Sequence, residues 1–325
     1  MDDFIENFVA AINARSPQSS ERLTKLRALS TRIVDLAESN SDVDELGIAA
    51  TALSELLDAA KIFSPWRQLP KLTVFGSARV KPGNPLYEMA SELSRRMASR
   101  GWITVSGAGP GIMEAAAKGA GRENTLGVNI ALPFEQGANS YVDAETRLVE
   151  MKYFFTRKVA LTKESMAFAF FPGGLGTMDE TFEILTLLHT GKSKPVPLLL
   201  VDTLEGRFWE KWRDFMSGAV VADGYLEEQS SRLYQLCHSL DAATTEIERF
   251  YANYVSCEVV GARARIVVRA QATAQQVKGL EQSIPVFAHD GGYQLENPTT
   301  ISFPFDGRQY LDLRLLIDEV NKWTN

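Results

Sequence analysis

Met166-Ala167-Phe168-Ala169-Phe170-Phe171-Pro172-Gly173-Gly174-Leu175-Gly176-Thr177-Met178-Asp179-Glu180 is an apolar run that stops at a proline and passes through glycines into a helix-forming stretch. An apolar run with no polar alternation reads as a strand buried on both faces. Residues 177–188 read as the helix that comes after it. The same pattern recurs along the chain. Residues 72–75, 102–105, 126–130 and 196–201 read as short buried strands, and 87–100 (ended by Gly101) and 112–119 as helices. Buried strands that alternate with helices imply a doubly wound parallel α/β sheet, whose ligands bind beyond the carboxyl ends of the strands.

The flanks differ from this middle part, residues 70–254. In residues 1–69, Leu23, Leu26, Leu29, Ile33 and Leu36 recur at helical spacing, as do Ile48, Leu53, Leu56 and Leu57. Ser41 ahead of Asp42-Val43-Asp44-Glu45 marks a helix start with acids in its first turn. Pro65 and Pro70 close this helical arm, which holds no chemical motif and reads as a packing or dimerisation element. In residues 255–325, strands at 264–269 and 301–305 and helices at 273–280 and 308–323 make a small α+β appendage.

Chemistry concentrates in three strand ends. Phe75-Gly76-Ser77-Ala78-Arg79, Ser106-Gly107-Ala108-Gly109-Pro110-Gly111 and Pro172-Gly173-Gly174-Leu175-Gly176-Thr177 each lead out of a strand. Glycine lets backbone approach a ligand, and a helix that starts there offers unpaired N–H groups and the positive end of its dipole. Together these cradle an anion, usually phosphate. One such loop is ordinary turn chemistry; three in one sheet are harder to explain that way. Neither glycine-rich loop fits the Walker pattern, and Gly107-Ala108-Gly109-Pro110-Gly111 is too tightly spaced for a dinucleotide fingerprint. Glu180, one turn into the third helix, is placed to act on a sugar beside the phosphate, and the dipole is expected to favour its ionised form. The plainer alternative is a helix N-terminal acid that only complements the dipole. Glu114, after Pro110-Gly111, holds the parallel position. Arg157 and Lys158 precede the apolar strand; an arginine there is a clamp or charge stabiliser, never a base.

The bulk numbers bound these readings. The chain has 325 residues, 45% hydrophobic and 23% charged, with a formal net charge of −7. That supports a sizeable core and argues against nucleic acid as a partner. Cys237 and Cys257 stand apart, and His189, His238 and His289 are scattered, so neither a disulfide framework nor a metal site is expected. Val196-Pro197-Leu198-Leu199-Leu200-Val201, among the longest apolar runs, is too short to span a bilayer. The acidic Met1-Asp2-Asp3-Phe4 start lacks signal-peptide character, and a cytoplasmic location is expected.

The motifs, taken in order, resemble the LOG family of cytokinin riboside 5′-monophosphate phosphoribohydrolases, long mislabelled as lysine decarboxylases. The pattern P-G-G-x-G-T-x-x-E stands complete from Pro172 to Glu180, and the R-K pair stands as Arg157-Lys158. Gly109-Pro110-Gly111-Ile112-Met113-Glu114-Ala115-Ala116 and Phe75-Gly76-Ser77-Ala78-Arg79 match two more family segments. Leu132-Pro133-Phe134-Glu135-Gln136 and Leu185-Thr186-Leu187-Leu188-His189-Thr190-Gly191-Lys192 are similar to the longer bacterial members. The resemblance is firm over residues 72–192. It implies a Rossmann-like fold and hydrolysis of a nucleoside 5′-monophosphate, such as AMP or a cytokinin-type nucleotide, to free base and ribose 5-phosphate; no cofactor is expected. It also implies a homodimer or higher oligomer. By motif, Arg157 and Glu180 are the implied catalytic pair. Gly173, Gly174, Gly176 and Thr177 are implied to hold the phosphate, with Gly76, Ser77 and Gly109 nearby, and Glu114 to face the ribose or base. Leu175 replaces a common aromatic residue and is expected to alter packing under the loop. Ala108 replaces a common glycine and is expected to stiffen the second loop.

Two other classes compete. A nucleotide sensor or carrier would use the same loops without turnover. A pyridoxal-phosphate decarboxylase would need a supported Schiff-base lysine, and the surroundings of Lys158 and Lys163 offer none.

Overall fold

The computed structural model describes residues 2–132 and 137–323. Pro133-Phe134-Glu135-Gln136, part of one family-like segment, lies outside the described residues. The chain divides into two compact units, Met1–Glu55 and Leu56–Asn325.

The first unit is helical. It contains α1 (Asp2–Arg15), α2 (Ser20–Glu38) and the start of α3 (Val43–Phe63). Ser19 caps α2 by accepting from the Arg22 amide, and a two-pronged ion pair joins Arg27 of α2 to Glu6 of α1. The start of α3 falls one residue later than Ser41 implies. Asp42 accepts from the Glu45 amide at 2.8 Å while Glu45 accepts from the Asp42 amide at 3.1 Å, a reciprocal cap.

In the second unit the alternation becomes β1 (Lys71–Phe75), α4 (Pro85–Ala98), β2 (Ile103–Ser106), α5 (Ile112–Ala120), β3 (Thr125–Ile130), β4 (Leu148–Met151), α6 (Phe154–Lys163), β5 (Ala167–Phe170), α7 (Leu175–His189), β6 (Leu198–Val201), α8 (Phe208–Phe215), β7 (Gln235–Cys237) and α9 (Leu240–Phe250). The seven strands form one sheet, all parallel, in the order β4-β3-β2-β1-β5-β6-β7.

Both faces of this sheet are covered, so its inner strands read as apolar throughout. One layer packs Phe75, Phe168, Phe170 and Leu200 against Leu161 of α6, Ile184 and Leu188 of α7, and Trp209 of α8. The opposite layer packs Leu72, Val74, Ala169 and Leu199 against Leu93 of α4, Ile112 and Ala116 of α5, and Ile247 of α9. Cys237 belongs to this second layer. Both cysteines are buried, and burial foremost pushes their thiols up to about 12.

The chain then builds a second, antiparallel sheet from β8 (Tyr254–Val260), β9 (Arg263–Val268), α10 (Ala274–Ser283), β10 (Gln294–Asn297), β11 (Thr300–Pro304) and α11 (Tyr310–Val320). Its strand order is β10-β11-β9-β8, over a core that includes Ile266, Phe287, Phe303 and Leu316. Thr273 and Gln276 form a reciprocal cap on α10, and Arg314 of α11 reaches Glu246 of α9 at 2.7 Å. Among the described residues, no helix is long and apolar enough to cross a membrane.

Candidate active site

The strand order locates the crevice. From β1 the chain steps outward through β2 and β3 to β4, then returns to place β5 on the other side of β1. The β1/β5 boundary is therefore the switch point, where adjacent loops diverge and leave an opening at the carboxyl ends. The first and third glycine loops leave those two strands.

Backbone hydrogen bonds tie all three loops together. The Ser77 amide donates to the Pro172 carbonyl at 3.2 Å, and the Ile112 amide donates to the Ser77 carbonyl at 3.1 Å. Asn139 closes the second loop: its side-chain amide donates to the Ala108 and Gly109 carbonyls at 2.9 and 3.0 Å. Two glycines are dictated by this packing. A Cβ at Gly76 would lie 2.7 Å from the Ile112 side chain, and one at Gly111, where φ is +71°, would collide with the Ser77 carbonyl oxygen. Ala108 takes φ +57°, so the second loop keeps a left-handed residue without glycine.

The third loop is different. A Cβ at Gly173 would collide with the Thr177 hydroxyl, but Gly174 and Gly176 have nothing within 4 Å of that position. The first intrahelical bond of α7 runs from the Met178 amide to the Gly174 carbonyl at 3.0 Å. The amides of Leu175, Gly176 and Thr177 precede it and remain outside the intrahelical ladder. Leu175 is 90% exposed. It does not pack under the loop.

Glu180 lies on α7 and is only 4% exposed. Because Leu175 opens the helix, Glu180 is beyond the first turn, where the dipole has faded. Burial dominates instead and pushes its carboxyl up to about 7, against the downward pull of Lys158 and then Arg157. The expectation of an ionised form favoured by the dipole is thereby corrected: near neutral pH both protonation states are accessible. Its Oε2 is buried without a hydrogen-bond partner. Lys158 Nζ stands 3.7 Å from that atom, at ion-pair range but too far for a hydrogen bond.

Arg157 of α6 donates from Nε to the Val128 carbonyl at 3.1 Å, and its guanidinium lies against Gly107, where a Cβ would strike it. Its charge also lowers the proton affinity of Glu180. Glu114 of α5 is half-buried beside the Tyr87 phenol, which is pushed up to about 12 by burial and then by Glu114. Gly109 is buried, and a Cβ there would lie 2.8 Å from Met113 Cε.

Lys158 was visible only as half of the R-K pair. In the structure its ammonium bonds Asp179 at 2.9 Å and Glu183 more closely still, while facing Glu180. Burial alone would push this ammonium down; its bonds to Glu183 and Asp179 outweigh that and hold it above its ordinary value. The Glu180–Glu183 spacing of three on a helix was the available signal. Asn139 is a second unforeseen contributor, with no motif around it.

A sequence family described as possible lysine decarboxylase matches residues 113–247. The cytokinin riboside 5′-monophosphate phosphoribohydrolase LOG of rice is 27% identical over 184 residues, 55% of this chain and 72% of that protein. The cytokinin riboside 5′-monophosphate phosphoribohydrolase of Mycobacterium tuberculosis is 31% identical over 121 residues, 36% of this chain and 63% of that protein. Among solved structures, a molybdenum cofactor carrier protein from Chlamydomonas reinhardtii aligns at TM-score 0.38 and 21% identity, over 56% of this chain and 98% of that one. The family match spans Arg157, Lys158, the third loop and Glu180, and the chain is a distant relative of the LOG, or lysine decarboxylase-like, family.

Proposed function

We propose that the protein hydrolyses the N-glycosidic bond of a purine or cytokinin-type nucleoside 5′-monophosphate, releasing free base and ribose 5-phosphate. The observation that carries this reading is Glu180: a buried carboxyl at the switch-point crevice, lifted to about 7, beside a permanently charged arginine. The open amides at Leu175, Gly176 and Thr177 suit a phosphate. Ser77 and Gly76 line the opposite side of the switch point, and Gly173 allows Thr177 to fold close beneath. Gly109 and Glu114 extend the crevice toward the sugar or base. Hydrolysis needs a proton for the departing base, a proton acceptor for water, and stabilisation of the cationic sugar between them. A carboxyl near 7 exchanges protons in both directions at neutral pH. Its protonated form donates to the leaving nitrogen, and its carboxylate form stabilises the sugar cation and takes a proton from water. Arg157 remains charged throughout and anchors anionic oxygen.

Incubating the protein with AMP and other nucleoside 5′-monophosphates tests the reaction, with free base measured by chromatography. Glu180→Gln should lower release at least about 100-fold. Tight nucleotide binding with no release from any of them would move the protein to the sensor or carrier class.

The oligomer is proposed on the same helices. Phe154, Phe155 and Val159 of α6 and Phe182 of α7 are exposed apolar side chains on the elements that hold Arg157 and Glu180. Exposed apolar groups on these two helices suit an interface. Sedimentation should give a homodimer, which Phe155→Asp should weaken; a wild-type monomer at micromolar concentration would refute it.

A further inference from the structure

We propose that Lys158 is a positioning residue for Glu180: its ammonium ties Asp179 and Glu183 together and leaves Glu180 facing a cation where it would otherwise face two anions. The inference rests on the reading of Glu180 as the acid–base group. Its basis is geometric. Asp179 and Glu183 flank Glu180 on α7, and Lys158 reaches all three from α6, at 2.9 Å to Asp179, closer to Glu183, and 3.7 Å to Glu180. The Lys158 side chain is 16% exposed and that of Glu180 5%, so little solvent screens them.

The charged groups that weigh most on Glu180 are Lys158 and Arg157 from α6, and Glu183 and Asp179 from α7 itself. The two cations pull its proton affinity down and the two anions push it up. Arg157 donates to the Val128 carbonyl of β3, whereas Lys158 is the cation within ion-pair range of Asp179, Glu180 and Glu183 together. Without it, Arg157 would be left to offset two carboxylates that press on a third, which already lacks a hydrogen bond at Oε2. Glu180 would then stay protonated to higher pH, and the ionised form that accepts a proton from water would be scarce at neutral pH.

The test reads Glu180 directly. Carboxyl carbon NMR on glutamate-labelled full-length protein, with Glu180→Gln identifying the signal, gives its titration without substrate. Lys158→Met should raise the inflection by about one pH unit, as expected for loss of an opposite charge at this range. Lys158→Arg, which keeps the charge, should restore it. Asp179→Asn and Glu183→Gln should move it downward, because each removes an anion and frees Lys158 toward Glu180. A merely structural lysine would not produce shifts of opposite sign. An inflection unmoved in folded Lys158→Met overturns the proposal. If that variant fails to fold, an unmoved inflection in both Asp179→Asn and Glu183→Gln overturns it equally. Shifts as expected in a protein that releases no base from any nucleotide would uphold Lys158 as the tuning residue and reject the hydrolase reading alone.

Discussion

The second and third loops use glycine for opposite purposes. In the second loop the glycines answer to the protein's own atoms: Gly111 needs a positive φ and clearance from Ser77, Gly107 makes room for Arg157, and Gly109 for Met113. In the third loop, Gly174 and Gly176 have no atoms within 4 Å of a would-be Cβ. A glycine that nothing in the fold demands leaves space for something from outside. The difference separates framework from reception surface within one crevice, although both loops read as similar glycine runs.

Three substitutions probe that separation. Gly111→Ala should cost at least about 3 kcal/mol of folding stability, because alanine resists this backbone conformation and its methyl meets a carbonyl oxygen. Denaturant unfolding measures it, and a cost below about 1 kcal/mol would remove the distinction.

Glu180→Gln, on the reception side, should do the reverse. Glu180 binds its proton more tightly in the folded protein, at about 7, than at its ordinary 4.5. Between those values the native state holds more proton than the unfolded chain, so this contribution is full below 4.5 and is lost as pH rises through 7. A difference of about 2.5 units corresponds to roughly 3 kcal/mol. The glutamine variant should therefore be more stable than wild type at pH 8 by up to about 3 kcal/mol, with the gap closing at pH 4. Equal unfolding midpoints at pH 8 would show that burial does not penalise this carboxylate.

Gly176→Ala should barely change stability, by about 0.5 kcal/mol or less, since the position is open and lies in the first turn of a helix. Its KM for AMP should nevertheless rise about tenfold, the equivalent of about 1.4 kcal/mol, because the methyl enters the proposed phosphate cradle. Unchanged KM would place the phosphate elsewhere.

The inner strands of the parallel sheet were legible because burial on both faces leaves an apolar run, as at Leu198, Leu199 and Leu200. The edge strands were not. In β4 the exposed Glu150 interrupts the pattern, β7 has only three residues, and β10 is exposed throughout. The same contrast applies to the crevice. Gly76, Gly173 and Thr177 could be placed from local sequence, because each sits where a strand gives way to a loop or helix, and Glu180 because it follows Thr177 on the same helix. The electrostatic state of Glu180 could not. The dipole argument uses only its own helix, whereas its burial and its cation come from α6 and the sheet, distant in sequence. Lys158 was equally obscure, since a lysine after an arginine carries no mark of the three carboxylates it will meet.

Ser77 gives this crevice a mechanical property as well as a chemical one. Its amide holds the third loop through Pro172, and its carbonyl holds the second through Ile112. One residue therefore bonds to both of the other loop segments. A fluctuation that lifts Ser77 exposes the Ile112 amide and releases the Pro172 carbonyl together, so the loops exchange their hydrogens with solvent as one unit. A ligand that grips any one of the three slows the opening of all of them, and occupancy of the crevice is then reported by amides the ligand never touches.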